Sequence, residues 1–371
     1  MIKTLSIFGT RPEASKMAPL MAVLKDCPYI ESKIAVTAQH RSQLDQVLDI
    51  FGITPDYDLD IMQPRQTLAD ITCRAMKGVE DVIKNENPDL ILVHGDTTTT
   101  LAASLAAYYC QKKLGHVEAG LRTYDKYQPF PEEINRRLTS AITDLNFAPT
   151  ENAKNNLIKE NISAHTIVVT GNTAIDCLRY TIKPNYTFCE PVLNGLDFSK
   201  RLLVMTAHRR ENLGRPLINI CNAVKRLLND YEDTILVYAV HMNPAVRETV
   251  FPILSGVPRI YLTDPLNVQD MHNLMNRSYM VLTDSGGLQE EVPSMGKPVL
   301  VLRNVTERPE AVESGTVALA GVEEDEIYRE ASCLLTNADK YSQMAQAKNP
   351  FGDGRASERI RDAILKYFNL E

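Results

Sequence analysis

The sequence has little to offer a membrane, a nucleic acid or an oxidising compartment. No apolar run approaches the ~18 residues that a spanning helix needs. Across 371 residues, 40 Lys and Arg stand against 47 Asp and Glu, a formal net charge of −7. That balance carries no basic nucleic-acid footprint and no acidic disordered tail. The seven cysteines (Cys27, Cys73, Cys110, Cys177, Cys189, Cys221, Cys333) are odd in number, scattered and never in a C-x-x-C pair, which argues against a disulfide framework and a zinc site alike. They are expected to be reduced and mostly in the core. The opening Met1-Ile2-Lys3-Thr4-Leu5-Ser6-Ile7-Phe8-Gly9 is too short and too soon broken for a signal peptide, so a cytoplasmic protein is expected. Short-period repeats, low-complexity segments and the dinucleotide glycine fingerprint are also missing.

What is present is a βα rhythm. Short Val-, Ile- and Leu-rich runs recur, each followed by a polar or glycine-bearing turn and a segment of helical spacing. In the first half they fall at 5–8, 34–38, 90–94, 115–118 and 167–170, and in the second at 202–206, 235–240, 260–263, 280–283 and 299–302. Continuous rather than alternating apolar runs suit parallel strands covered on both faces. At about 150 residues per domain the length predicts two domains, and 44% hydrophobic residues can give each a core. The expected fold is α/β, two doubly wound Rossmann-like domains over 1–172 and 173–354, with a hinge near 171–200. After Asp353-Gly354, helical spacing at Ile360, Ala363, Ile364, Tyr367 and Phe368 predicts a closing helix.

In open parallel sheets ligands gather beyond the carboxyl ends of strands. Here those positions are rich in Arg, His and carboxylates, more than helix capping requires. Asp284-Ser285-Gly286-Gly287 follows a strand and opens a helix, so its free N–H groups suit a phosphate, although a plain strand–helix turn has the same form. Glu291, about two turns on, is placed either to reach a ribose hydroxyl or to face solvent. Gly9-Thr10-Arg11-Pro12-Glu13-Ala14-Ser15-Lys16 is a second such junction, with Arg11 and Lys16 available to a diphosphate. Asp96, Glu118, Glu132 and Glu133 supply carboxylates for proton removal and return. Glu132 and Glu133 equally satisfy a helix dipole behind Pro131, whereas Glu118 closes an apolar stretch and needs a partner or a task. His208-Arg209-Arg210-Glu211-Asn212 and His241 follow strands of the second half. The arginines there either serve a ligand or pair with Glu211. Arg308, before Pro309, is either a surface residue or a group that closes over a nucleotide.

Seven motifs occur in one order: Phe8-Gly9-Thr10-Arg11-Pro12-Glu13-Ala14, His94-Gly95-Asp96-Thr97, Gly115-His116-Val117-Glu118-Ala119-Gly120-Leu121-Arg122, Pro131-Glu132-Glu133-Ile134-Asn135-Arg136, Thr206-Ala207-His208-Arg209-Arg210-Glu211-Asn212, Thr283-Asp284-Ser285-Gly286-Gly287 and Glu307-Arg308-Pro309-Glu310. On them the chain resembles the bacterial non-hydrolysing UDP-N-acetylglucosamine 2-epimerases over essentially its whole length. The resemblance implies the glycosyltransferase-B architecture with an inter-domain active-site cleft, a closing helix (355–371) docked back on the first domain, and a homodimer. It implies reversible conversion of UDP-GlcNAc to UDP-ManNAc for cell-surface polysaccharide synthesis, through loss of UDP to a bound 2-acetamidoglucal. By position it assigns catalysis to Asp96, Glu118, Glu132 and His208, and nucleotide contacts to Arg11, Lys16, Ser285, Gly286, Gly287, Glu291 and Arg308. It further implies an activating second UDP-GlcNAc at Gln39, Arg65, Arg209 and His241, where Ser42 is shorter than the amide expected. No metal and no other cofactor is expected, nor a nucleic-acid or membrane partner. Rival readings are a hydrolysing enzyme that releases ManNAc and UDP, a glycosyltransferase, and a sugar-nucleotide sensor without turnover.

Overall fold

The computed structural model describes residues 1–38, 41–63 and 65–370, and for residues 41–43 the backbone only. The chain divides into two compact units, residues 1–180 with 351–371, and residues 181–350.

The first unit holds seven parallel strands: β1 (Ile2–Phe8), β2 (Ile30–Val36), β3 (Tyr57–Asp58), β4 (Leu90–His94), β5 (Lys113–Val117), β6 (Leu145–Ala148) and β7 (Ile167–Val169), in the order β3-β2-β1-β4-β5-β6-β7. The second holds six, again parallel: β8 (Arg201–Thr206), β9 (Thr234–Ala239), β10 (Ile260–Thr263), β11 (Met280–Thr283), β12 (Val299–Val301) and β13 (Val317–Leu319), in the order β10-β9-β8-β11-β12-β13. Central strands such as Leu-Ile-Leu-Val-His of β4 are buried along their whole length, because helices cover both sheet faces and no side is left to alternate toward water. In the first unit Leu5, Ile7, Ile91 and Val93 pack against Val79, Ile83, Ala103 and Ala107. In the second, Leu203, Met205, Leu236 and Leu282 pack against Leu217, Val224, Leu227 and Leu334. The apolar burial of these faces is the main stabilising term in each unit.

All ten apolar runs are strands, extended or trimmed by a few residues. Three strands were not anticipated. β3 is two residues long, β13 is three, and in β6 the buried Asn146 interrupts the apolar run. The cysteines also depart from expectation. No disulfide joins any of them, but Cys27, Cys177 and Cys221 alone are buried, while Cys73 and Cys189 are exposed.

Each sheet has one place where successive connections run to opposite sides, and there the loops part to leave a crevice. In the first it lies between β1 and β4, registered Thr4 to Leu90 through Ile7 to Val93. In the second it lies between β8 and β11, registered Leu203 to Met280 through Thr206 to Thr283.

The closing helix Ala356–Tyr367 belongs to the first unit. Its first N–H groups find no capping side chain in their own turn and donate instead to Asp176, from Ala356 at 3.1 Å and Ser357 at 2.7 Å. Those donors offset part of the burial that holds the Asp176 carboxyl above its ordinary range. Phe351 is buried just before it, and its carbonyl accepts from Asn172 N at 2.7 Å. Among the described residues no helix is long and apolar enough to cross a membrane.

Candidate active site

In the first unit the β1 turn is built around Glu13. Its Oε2 accepts the N–H groups of Gly9 (3.0 Å) and Thr10 (2.8 Å), and its Oε1 accepts the hydroxyls of Thr97 (2.7 Å) and Thr100 (3.2 Å). One buried carboxylate thus ties the turn after β1 to the turn after β4, across the switch point. Gly9 is required here, since a Cβ would lie 2.0 Å from Thr37 Oγ1. With Glu13 committed to structure, Arg11 on the first helical turn is half-buried and makes no ion pair with any described residue. A guanidinium so placed is available to an anion.

Lys16 is not available in the same way. Its Nζ lies 2.5 Å from Glu118 Oε2, which also accepts from Asn172 Nδ2 at 2.8 Å. The two cations expected to serve a diphosphate thus differ: five residues of helix separate them, and the second is paired with the β5 carboxylate. Glu118 itself has φ of +66°, a left-handed conformation costly for a residue with a Cβ. That backbone turn aims the nearly buried carboxylate back over β4, with Oε1 at 3.7 Å from where a Cβ on Gly95 would be. His94, at the end of β4, is buried with Nε2 3.9 Å from Glu118 Oε2. Burial takes its pKa down to about 4, against the opposing pull of Glu118, so the ring is neutral.

Asp96 is held by Arg136, whose Nε and Nη2 lie 2.9 and 2.7 Å from Oδ2, and its carbonyl accepts from Asn135 Nδ2 at 2.8 Å. The two glutamates behind Pro131 separate cleanly. Glu133 is buried and accepts from Thr123 N (3.0 Å) and Tyr124 N (3.1 Å), which fixes the preceding loop. Glu132 is half-buried and its Oε2 has no hydrogen-bond partner among the described residues. The first is a structural clamp, and the second keeps a buried oxygen unbonded among the described residues.

In the second unit Asp284, fully buried at the end of β11, organises the turn after β8. Its Oδ2 accepts the N–H groups of His208 (2.7 Å) and Arg209 (2.8 Å) and the amide of Asn212 (3.0 Å). The His208 ring lies with Nδ1 3.2 Å from Asp284 Oδ1 and stacks on His241, centroids 5.2 Å apart. Burial lowers the His208 pKa, and Asp284 opposes it. Ser285, Gly286 and Gly287 open the helix Gly286–Glu291. A Cβ on Gly286 would meet nothing nearer than 3.7 Å, and on Gly287 nothing nearer than 4.0 Å. Internal packing does not require glycine at either place, so the bare backbone is free to serve close approach from outside. Glu291 is largely covered and paired: His272 Nε2 lies 3.3 Å from its Oε2, and His272 Nδ1 meets Thr181 Oγ1 at 2.7 Å. Arg308 pairs with the buried Glu290. Glu211 pairs with Arg303 at 2.9 Å, and Arg209 lies 3.7 Å from Glu307 instead. Burial alone would raise the Glu307 pKa, but Arg209, Arg303 and Arg308 together hold it below its ordinary range.

The strand ends thus bring Arg11, Lys16, Asp96, Glu118 and Glu132 to the first unit, and His208, Arg209, His241, Ser285, Gly286, Gly287, Glu291 and Arg308 to the second. Arg65 stands exposed in the first unit at φ of +60°. Gln39 and the Ser42 side chain lie outside the described residues. Sequence reasoning missed Asp284, His272 and Asn172 as organising groups. A polar residue at a strand end signals the first; the other two sit in helices or loops where only the fold reveals their partner.

The family model described as UDP-N-acetylglucosamine 2-epimerase matches residues 22–365. The UDP-N-acetylglucosamine 2-epimerase of Bacillus subtilis is 55% identical over 367 residues, 99% of this chain and 96% of that one. The structure of UDP-GlcNAc 2-epimerase from Neisseria meningitidis bound to UDP-GlcNAc matches with a TM-score of 0.90 at 46% identity, covering 98% of this chain and 100% of its own. The S. aureus MnaA-UDP co-structure matches with a TM-score of 0.90 at 50% identity, covering 100% and 98%. Paired Rossmann-like units of the glycosyltransferase-B type are the shared architecture. The chain therefore belongs to the UDP-N-acetylglucosamine 2-epimerase family, and it is an isomerase.

Proposed function

We propose that the enzyme interconverts UDP-GlcNAc and UDP-ManNAc by eliminating UDP to a bound 2-acetamidoglucal and adding it back from the same site. The C2 proton has no neighbouring carbonyl to acidify it, so direct removal by a carboxylate near neutral pH faces a prohibitive barrier. Departure of UDP from C1 gives the ring oxocarbenium character, and the C2 proton becomes acidic. The leaving diphosphate must then be stabilised and kept.

The residue inventory divides along that line. In the second unit the open Ser285-Gly286-Gly287 turn, His208 on its Asp284 anchor and Glu291 on His272 suit a nucleoside diphosphate. In the first, Arg11 and Lys16 supply positive charge for the phosphates, which is the electrostatic part of the catalysis. Asp96, Glu118 and Glu132 then serve as the groups that remove a proton from one face, return it to the other and offset the charge of the ring. The enclosed position of Glu118 supports this reading most: a carboxylate turned inward on left-handed backbone, beside a lysine and an uncharged imidazole, suits proton transfer. A second UDP-GlcNAc beside the substrate, acting on Arg209 and His241, belongs to the same proposal.

Asp96→Asn, Glu118→Gln and Glu132→Gln test it. Each should lower turnover at least about a hundredfold while UDP affinity, measured by calorimetry, changes little. Arg11→Ala should weaken both. Wild-type turnover in all three carboxylate variants would overturn the reading.

A further inference from the structure

His94 is the one buried titratable side chain at the first switch point that the proposed mechanism leaves without a task. Both ring nitrogens are buried and neither has a hydrogen-bond partner among the described residues. An unmade hydrogen bond at a buried polar atom carries the full desolvation cost of that atom. The ring is held where it cannot escape that cost: the side chain is 4% exposed, and the His94 carbonyl accepts the Thr100 hydroxyl at 2.5 Å, which pins the strand end. The nearest acceptor is Glu118 Oε2, 3.9 Å from Nε2, about 1 Å too far for a hydrogen bond. That same oxygen is occupied by Lys16 at 2.5 Å.

Four titratable neighbours act most strongly on the ring among the described residues. Lys16 comes from the helix Arg11–Lys25, Asp96 from the turn after β4, and His116 and Glu118 from β5. Glu13, on the same helix as Lys16, has both oxygens taken by the Gly9 and Thr10 N–H groups and the Thr97 and Thr100 hydroxyls. His116 gives Nε2 to the Gly95 carbonyl at 2.7 Å, and Asp96 is held by Arg136. Among these groups the Lys16–Glu118 pair is the one a bound diphosphate would compete for, through the lysine.

We propose that His94 is a positioning residue that takes over the Glu118 carboxylate as an N–H donor when Lys16 is drawn away to a bound diphosphate. This rests on the reading of the site given above. An ammonium group beside a carboxylate suppresses its uptake of a proton. Exchanging it for a neutral N–H keeps the carboxylate aimed while restoring its capacity to accept one. Glu118 is thereby idle in the empty enzyme and active once a diphosphate is bound. A neutral imidazole always carries one N–H, so no proton need be gained or lost by His94 in the exchange.

Full-length His94→Phe keeps a flat ring without an N–H, and His94→Gln keeps a donor. With folding checked by circular dichroism, H94F should lower kcat at least about tenfold, with KM within about twofold, and move the acid limb of the kcat profile to higher pH. H94Q should regain most of kcat and the wild-type limb. Equal loss in both variants with an unmoved limb would reduce His94 to a structural role, and wild-type kinetics in folded H94F would overturn the proposal outright. In the wild type, adding UDP should shift the His94 ring nitrogen signals in nitrogen NMR into the hydrogen-bonded range; unchanged signals with UDP bound would contradict the exchange without any variant. E118Q separates the two levels. If it turns over normally, the catalytic role given to Glu118 above fails and this inference with it, whereas an inactive E118Q beside a normal H94F removes this inference alone.

Discussion

Glu118 has its side chain where backbone sterics favour glycine, and the strain of such a conformation is on the order of 1–3 kcal/mol. Packing alone supplies no reason for it, because the carboxylate is turned toward Lys16, Asn172 and His94 rather than toward apolar neighbours. Around it two histidines, His94 and His116, are buried with pKa values of about 4, burial being the leading cause for each. Their effect on stability has a definite sign. Each ring is neutral in the folded protein and takes up a proton once unfolded below about pH 6.5, so the unfolded state binds more protons between there and about pH 4. Stability is full above that window and drains as pH falls through it, by up to roughly 3 kcal/mol per ring. Urea denaturation should therefore show a lower midpoint at about pH 4.5 than at about pH 7.5, with part of the fall removed in His116→Gln. A midpoint independent of pH across this window would contradict the buried, neutral assignment.

At the scale of elements, the two switch points explain why polar motifs cluster where they do. β1 and β4 in one sheet, β8 and β11 in the other, end in the turns that contain Gly9, Asp96, His208 and Asp284. The helix opening at Ser285 offers a test that separates function from packing. Since a Cβ on Gly286 would meet Arg308 only at 3.7 Å, Gly286→Ala should leave the melting temperature nearly unchanged yet weaken UDP about tenfold or more by blocking backbone approach. Unaltered UDP affinity in calorimetry would remove this turn from the nucleotide site. Strands written as unbroken apolar runs were legible in the sequence because their burial on both faces needs that composition. β3 and β13 were too short to leave a pattern, and Asn146 disguised β6. The sequence placed the polar motifs at strand ends, but their internal pairings could not be read from it. That Glu133 clamps a loop while Glu132 keeps an oxygen open, or that Lys16 faces Glu118, depends on side-chain directions that spacing does not encode.

At the scale of the whole chain, the first unit is completed by residues from both ends of the sequence. The segment from Phe351 onward returns to it, and Asp176 caps the closing helix across 180 residues of chain. Asp176→Ala should lose about 1–2 kcal/mol, the scale of a missing helix cap, and make the segment after Phe351 the first site of limited proteolysis. Cleavage no faster than in the wild type would mean that apolar packing alone holds the helix. Asn172 connects this closure to the proposed catalytic carboxylate, because its backbone bonds Phe351 while its amide holds Glu118.

The most direct measurement is proton NMR of the purified enzyme with UDP-GlcNAc in deuterated water, following the C2 and anomeric signals together. The account predicts UDP-ManNAc carrying deuterium at C2, with deuterium also entering the recovered UDP-GlcNAc as the reaction reverses. Free ManNAc with UDP, or UDP-ManNAc that keeps its original C2 proton, would contradict it.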